Sequence, residues 1–317
     1  MSYRISVVSV MGRDYHPTRR LMEAAQQRGH VVDILDPYRL WPGFRAGDAV
    51  FSGEEAAGFL DTGFFDTGLP DAVLPRQGAD IGSSCLALAY QFKLMGIPVI
   101  NDFDAIRLSR HQFYTLQALS SAQVPFPDSV FINSADGFFP AVRDLGGYPV
   151  VIKQVSNRQG SGVFKVDSAD MARSILAENL GEPQKERQGL LIQRYLSTDG
   201  RSDVRVLVVG DRVVGAQVLV PRPGDFRANF HLGGQSRQFE LTPAIEELSI
   251  RAARAVGLDI AGIDLMMAEG EMPRVVEVNY APGFQGLEAA TGQDIAGEIV
   301  DYVLRRAAGQ GGLSRLK

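Results

Sequence analysis

Cysteine is almost absent: Cys85 alone in 317 residues excludes an intramolecular disulfide framework and a cysteine-based zinc site. Cys85 stands at a predicted helix start, yet nothing in the sequence pairs it with a base, so it reads as a core residue. The four histidines (His16, His30, His111, His231) are scattered without metal-ligand spacing. A lone tryptophan, Trp41, makes no stacking platform for nucleic acid. Positive charge is short as well. Lys and Arg number 32 against 37 Asp and Glu, and a net charge of -5 argues against a nonspecific nucleic-acid surface. No apolar run approaches the roughly 18 residues of a membrane span, and the opening residues show no signal-peptide pattern. The cytoplasm is the expected compartment, with neither nucleic acid nor membrane as partner. The chain also lacks a G-x-G-x-x-G fingerprint after its first strand, which removes a dehydrogenase reading, and it has no Walker A loop.

What is present is an ordinary globular composition, 45% hydrophobic with a mean hydropathy of -0.03, enough for two or three packed lobes. Strands are predicted at Arg4–Val10, Val31–Leu35, Asp71–Pro75 and Gly96–Asn101. Helices are predicted from Pro17 to Arg28, stopped by Gly29, and from Gly82 to Met95. This βαβ rhythm implies a parallel, doubly wound sheet, with residues 40–70 as an excursion from it. A helix over about 105–121 follows. Beyond it the texture changes to short strands in antiparallel-looking pairs: 150–155 with 162–166, then 190–195, then 204–209 with 212–220 around the tight turn Gly210-Asp211. Helices are expected at 168–179, Pro243–Val256 and Asp294–Ala307. The fold class is therefore α/β followed by α+β. The expected divisions are an N-terminal lobe at 1–105, a central lobe at 106–193, a C-terminal lobe at 194–308 and a flexible tail at 309–317.

Chemistry concentrates in three stretches. In Val275-Val276-Glu277-Val278-Asn279, apolar and polar residues alternate, so Glu277 and Asn279 share a face. The preceding run Gly262-Ile263-Asp264-Leu265-Met266-Met267 is apolar apart from Asp264, and residues 268–273 read as a hairpin connection. Folding that hairpin at Gly270/Glu271 sets Asp264 opposite Glu277. Like charges facing each other across a ladder repel, so two carboxylates and an amide oxygen there predict a hard cation between them. Oxygen-only donors suit Mg²⁺, which keeps several waters and also binds substrate phosphates. The bland alternative is a half-exposed strand, or a register that turns the two carboxylates apart.

In the second stretch, Lys153 is a lone cation inside an apolar strand, followed by Ser156-Asn157-Arg158-Gln159-Gly160-Ser161-Gly162 and another strand. A glycine-rich hairpin of this kind can lay backbone N–H groups over phosphates while the lysine supplies a point charge. A plain β-turn with a snorkelling lysine reads as well from that stretch alone. The third, Gly224-Asp225-Phe226-Arg227-Ala228-Asn229-Phe230-His231-Leu232-Gly233-Gly234, suits either anion recognition through Arg227 or a solvated loop.

Taken in order, these stretches resemble an ATP-grasp ligase, and closely the RimK-type glutamate ligases. Asp71-Ala72-Val73-Leu74-Pro75-Arg76 is similar to the family's D-A-V-I-P-R strand, and Gly224–Asn229 to its G-D-F-R-[SA]-N loop. Ala261–Asp264 and Glu277–Gly283 match its metal hairpin, followed by Thr291–Ala296. The resemblance implies ATP and Mg²⁺, with Mn²⁺ as a substitute, and a two-step reaction. ATP phosphorylates a carboxylate, then an amine displaces phosphate to give an amide and ADP. It implies that Asp264, Glu277 and Asn279 hold the metal, and that Lys153, Ser156, Gly160, Ser161 and Gly162 close on the phosphates. Gln193, Arg194 and Tyr195 would hold the adenine edge and Asp203 the ribose. Arg227 and Asn229, with Ala228 beside them, would steady the phosphoryl group and the oxyanion. The partners implied are an amino acid, an amine- or carboxylate-bearing acceptor (peptide, protein or small molecule) and further copies of the chain in a homo-oligomer.

Three positions depart from the family pattern. Arg110-His111-Gln112 stands where an R-D-K run is usual, Arg194 replaces the hinge glutamate of Q-E-Y, and only Arg222 precedes the G-D-F-R loop where several basic residues are common. The less basic wall argues against a glutamate-rich protein tail as acceptor. Gln112 motivates a second reading, an ATP-binding protein of the same shape without turnover.

Overall fold

The computed structural model describes residues 2–53, 69–76, 82–155, 162–180, 189–220, 235–268 and 270–314. The N-terminal unit comprises β1 (Arg4–Val8), α1 (His16–Gln27), β2 (Val31–Leu35), β3 (Leu40–Arg45), β4 (Asp48–Gly53), β5 (Ala72–Pro75) and α2 (Ser83–Leu94). The order β2-β1-β5 is parallel, as the βαβ rhythm requires. Ile5, Val7 and Val8 are buried on both faces of the sheet, the burial that parallel strands need. Helix α1 carries Pro17 in its first turn, buries Leu21, Ala24 and Ala25, and ends before Gly29 at φ 75. The excursion is an antiparallel hairpin, β3 with β4, standing apart from the parallel sheet. The strand expected over 96–101 is reduced to a single parallel bridge, Val73 to Val99. Beside it Pro98 has no N–H to offer a ladder. Asn101 is instead buried and spans to the C-terminal lobe. Its side chain donates to the carbonyls of Ile260 and Tyr280 and accepts from Ile260 N, each at 2.7 Å.

The helix expected over 105–121 is two helices, α3 (Phe103–Ser109) and α4 (Gln112–Ser121). His111 breaks them: its backbone is extended and its Nδ1 accepts from Tyr114 N, capping α4. Next come β6 (Ser129–Ile132), α5 (Phe138–Asp144), β7 (Val150–Gln154), β8 (Val163–Val166), α6 (Ala169–Leu180) and β9 (Leu190–Arg194). Their strands form an antiparallel sheet in the order β6-β9-β7-β8, over a core of Phe138, Ile152, Leu176 and Ile192.

The last unit holds β10 (Arg201–Val209), β11 (Arg212–Val220), β12 (Gln235–Gln238), α7 (Pro243–Val256), β13 (Ile260–Ala268), β14 (Arg274–Asn279), α8 (Gln285–Thr291) and α9 (Ile295–Ser314). The sheet order is β12-β11-β10-β13-β14, antiparallel throughout. Helix α7 has both ends written in its sequence: the Thr242 side chain accepts from Ile245 N, and Gly257 closes it in the left-handed region at φ 76. Helix α9 returns to cover the N-terminal sheet, so Ile299 and Val303 share a core with Ile5 and Leu74. It runs from Ile295 to Ser314, past residue 309. β6, α5, β12 and α8 had no separate sequence signal. Among the described residues, no helix is long and apolar enough to cross a membrane.

Candidate active site

Strand periodicity divides the five-stranded sheet. Val204, Val206, Ile263, Leu265 and Val278 point to a core shared with α7. Alternate residues on the other face are polar, and the registers line them up across every strand: Gln238, Gln217, Arg205, Asp264 and Glu277 are successive cross-strand partners. Asn279 lies two residues beyond Glu277, opposite Gly262.

The pairing of Asp264 with Glu277 is as the hairpin reading predicts, but the ladder reaches it differently. Near the turn, Leu265 pairs with Val275 and Met266 with Arg274, a register one residue short. A bulge between Asp264 and Leu265 leaves Val276 as the extra residue and restores the carboxylate pair. Arg205 joins them from β10: its Nε and Nη2 each donate to Asp264 at 2.6 Å, a bidentate fork. Burial opposes the charge on Arg205, but Asp264 and Glu277 outweigh it and hold its pKa above the ordinary value. Asn279 Nδ2 approaches Asp264 Oδ2 at 3.3 Å. Gly262 permits this compactness, since a Cβ there would lie 2.8 Å from Pro282 Cβ. Among the described residues no group of three or more His, Cys, Asp or Glu side chains gathers to hold a metal. The candidate donor set is therefore two carboxylates and one amide, all hard oxygens, and that chemistry fits Mg²⁺.

Lys153 comes from β7 of the central lobe and feels the same carboxylates. Burial lowers its pKa, while Glu277 and Asp264 pull in the opposite direction. The Gly162 carbonyl accepts from Gln154 N, next to Lys153 on the same strand, at 2.9 Å. The break between α3 and α4 brings Gln112 N to Val155 O at 2.9 Å, at the end of the lysine strand. Gln112 then lines a small cavity of about 20 Å³ together with Arg110, Thr115, Gln193 and Glu277. Gln193 is buried, its amide donating to Ser129 Oγ at 2.9 Å. Arg194 turns its guanidinium outward to Asp128 at 3.2 Å, and the Lys165 ammonium sits 4.8 Å from the centre of the Tyr195 ring. Arg194 and Tyr195 border a second cleft, of about 310 Å³, with Leu196, Arg201, Met266 and Arg274. Asp203 lies between the two regions, paired with Arg201 at 3.0 Å. Burial raises its pKa, Arg201 lowers it and Asp264 adds to the rise. Its Oδ1 is buried without a hydrogen-bond partner.

The structure thus gathers Lys153, Gln193, Asp203, Asp264, Glu277 and Asn279 about one sheet face and its rim. Ser156, Gly160, Ser161, Arg227, Ala228 and Asn229 lie outside the described residues. Arg205, beside Asp203 in the run that resembles the family's ribose side, joins the site although the sequence reading gave it no role of its own. A cation between Asp203 and a hairpin carrying Asp264 was the available signal, but only the β10–β13 register reveals the contact. Cys85 is buried in the core, its thiol pushed up to about 12 by burial, and takes no part.

The sequence and the fold both have relatives among known proteins. Residues 109–303 match the RimK-like ATP-grasp domain and residues 3–106 the RimK PreATP-grasp domain. A "Probable alpha-L-glutamate ligase" of Pseudoalteromonas translucida is 34% identical over 316 residues, 99% of each chain. Another of that name, from Vibrio cholerae serotype O1, is 35% identical over 295 residues, 92% of this chain and 93% of its own. Among solved structures, a RimK domain protein ATP-grasp from Sphaerobacter thermophilus superimposes with a TM-score of 0.72 at 24% identity, covering 95% of this chain and 99% of that one. The ATP-grasp ligase PsnB, solved with a phosphomimetic variant of a minimal precursor, Mg and ADP, has a TM-score of 0.69 at 20% identity, with coverage of 96% and 99%. With its site laid out on this fold and both family domains matched in order along its length, the chain belongs to the RimK-like ATP-grasp family.

Proposed function

We propose that this ATP-dependent, amide-forming ligase adds glutamate or another amino acid to a peptide, protein or small-metabolite acceptor through an acyl phosphate. The observation that carries the reading is the meeting of Asp264, Glu277 and Asn279 with Arg205 on one face, within the electrostatic reach of Lys153 from the other lobe. The name of the curated relatives, alpha-L-glutamate ligase, supports glutamate, and the PsnB neighbour, solved with Mg and ADP, supports the ion.

In this proposal Asp264, Glu277 and Asn279 hold Mg²⁺, with Mn²⁺ as an alternative. The ion, when bound, neutralises charge on the β- and γ-phosphate oxygens. Lys153, Ser156, Gly160, Ser161 and Gly162 hold phosphate and screen the acyl phosphate from water. The backbone from Gln193 through Arg194 to Tyr195 holds the adenine edge, and the unpartnered Oδ1 of Asp203 accepts from a ribose hydroxyl. Arg227 and Asn229, beside Ala228, steady the transferring phosphoryl group and the tetrahedral oxyanion. The acceptor carboxylate oxygen takes the γ-phosphoryl group as ADP leaves. The amine nitrogen then attacks the carbonyl carbon, giving up a proton as phosphate departs. The lobe divisions near 105, 193 and 308, a cytoplasmic location and a homo-oligomer belong to the same proposal.

The test is calorimetric. The natural chain is expected to bind Mg-ATP, and Glu277→Ala to weaken that binding roughly 100-fold or more. Absence of binding in the natural chain refutes the ligase reading. Gln112, which faces the Glu277 cavity where the family has lysine, favours a nucleotide-binding protein without turnover as second reading. ADP released only when a carboxylate and an amine are both supplied decides against it.

A further inference from the structure

Arg76 follows β5 at the carboxyl end of the parallel sheet, its N–H bonded to Val8 O at the end of β1. In open α/β sheets this edge is where ligands bind. Arg76 is only 9% exposed, and among the described residues no carboxylate lies within ion-pair distance of its guanidinium. Nη2 donates to the carbonyl of Pro282, the guanidinium carbon lies 5.8 Å from the Phe284 ring centre, and Nε is buried without a partner. Phe284 also receives the His16 ring at 5.8 Å, and His16 Nδ1 is likewise buried and unpartnered. The loop seated on Arg76 is continuous with Asn279. A buried arginine without a counter-ion is costly, and here it stands one short loop from the metal hairpin. Burial depresses its pKa to about 10, only partly offset by Tyr15.

We propose that Arg76 binds the α-carboxylate of the amino-acid substrate, whose amine is the group that reacts. A charge-assisted contact at that carboxylate anchors the amino acid by the end that does not react and leaves its amine free to turn toward the acyl phosphate formed on the acceptor. Arg76 thereby sets which end of the amino acid faces the acyl phosphate. The inference rests on the ligase reading.

The test titrates L-glutamate and its α-amide into the chain carrying Mg²⁺ and a non-hydrolysable ATP analogue. Glutamate is expected to bind roughly tenfold or more tighter than the amide, the value of one charge-assisted contact, and Arg76→Lys to erase that preference while keeping nucleotide affinity. In the natural chain, independently of any variant's folding, the Arg76 Nε–H resonance in an arginine-selective NMR spectrum moves with glutamate and not with the amide. Equal binding of acid and amide, a preference that survives Arg76→Lys, or an unmoved resonance overturns the assignment. Nucleotide binding is read in the same titration, and its absence from the natural chain overturns the ligase reading and this one with it.

Discussion

The two faces of the C-terminal sheet come from the same strands and differ in everything else. Val204, Val206, Ile263 and Leu265 are buried against α7, while their immediate neighbours Asp203, Arg205 and Asp264 form a charged row. Further along the polar face, Leu207, Val209 and Ile260 are covered by Leu287 of α8 and Ile299 of α9. Among the described residues, the charge therefore stands where no helix covers the sheet. A period of two lets one set of hydrogen bonds support a core and a site at once, and the site face borrows its rigidity from the core face.

The largest effect should come from the core face. Ile263→Ala, at a fully buried position, is expected to cost about 2–5 kcal/mol in denaturant unfolding, and Mg²⁺ should leave that loss unchanged. Arg205→Met removes the fork on Asp264 and should cost about 1–3 kcal/mol in the metal-free protein. Added Mg²⁺ should shrink the second loss, because the cation replaces the missing counter-charge; an equal loss with and without Mg²⁺ would erase the distinction between faces. Gly262→Ala should cost about 1–2 kcal/mol, since the new methyl meets Pro282, and calorimetry should show weaker Mg-ATP binding through the displaced Asn279 turn.

The smallest effect is a pH dependence. His16 and His111 titrate below their ordinary value, chiefly through burial; Glu288 and Glu23 partly counter the shift at His16, and Arg19 and Arg20 reinforce it. The unfolded chain therefore binds more protons than the native one just below pH ~6.5. Stability should rise with pH through that window and fall on acidification, and urea midpoints measured across it check the sign.

Much was legible in local pattern. The alternation in Val275–Asn279, the turn at Gly210 (φ 64), the helix from Pro243 to Val256, and the βαβ rhythm each express a short-range rule, and each appears in the structure. The elements missed, such as α5 and β12, are seven and four residues long, too short for a period to declare itself. The break at His111 was read as continuous helix because propensity is silent about a cap that competes with it.

By itself, the sequence determined which residues are apolar, which strands alternate and where helices start and stop, because these depend on neighbours within a few positions. The tertiary structure alone decided that Val276 bulges out so that Glu277 meets Asp264, that Arg205 clasps that aspartate, and that Arg76 reaches Pro282. Those contacts join residues from 13 to 206 positions apart, and a one-residue slip in register would turn every one of the sheet's side chains to the opposite face.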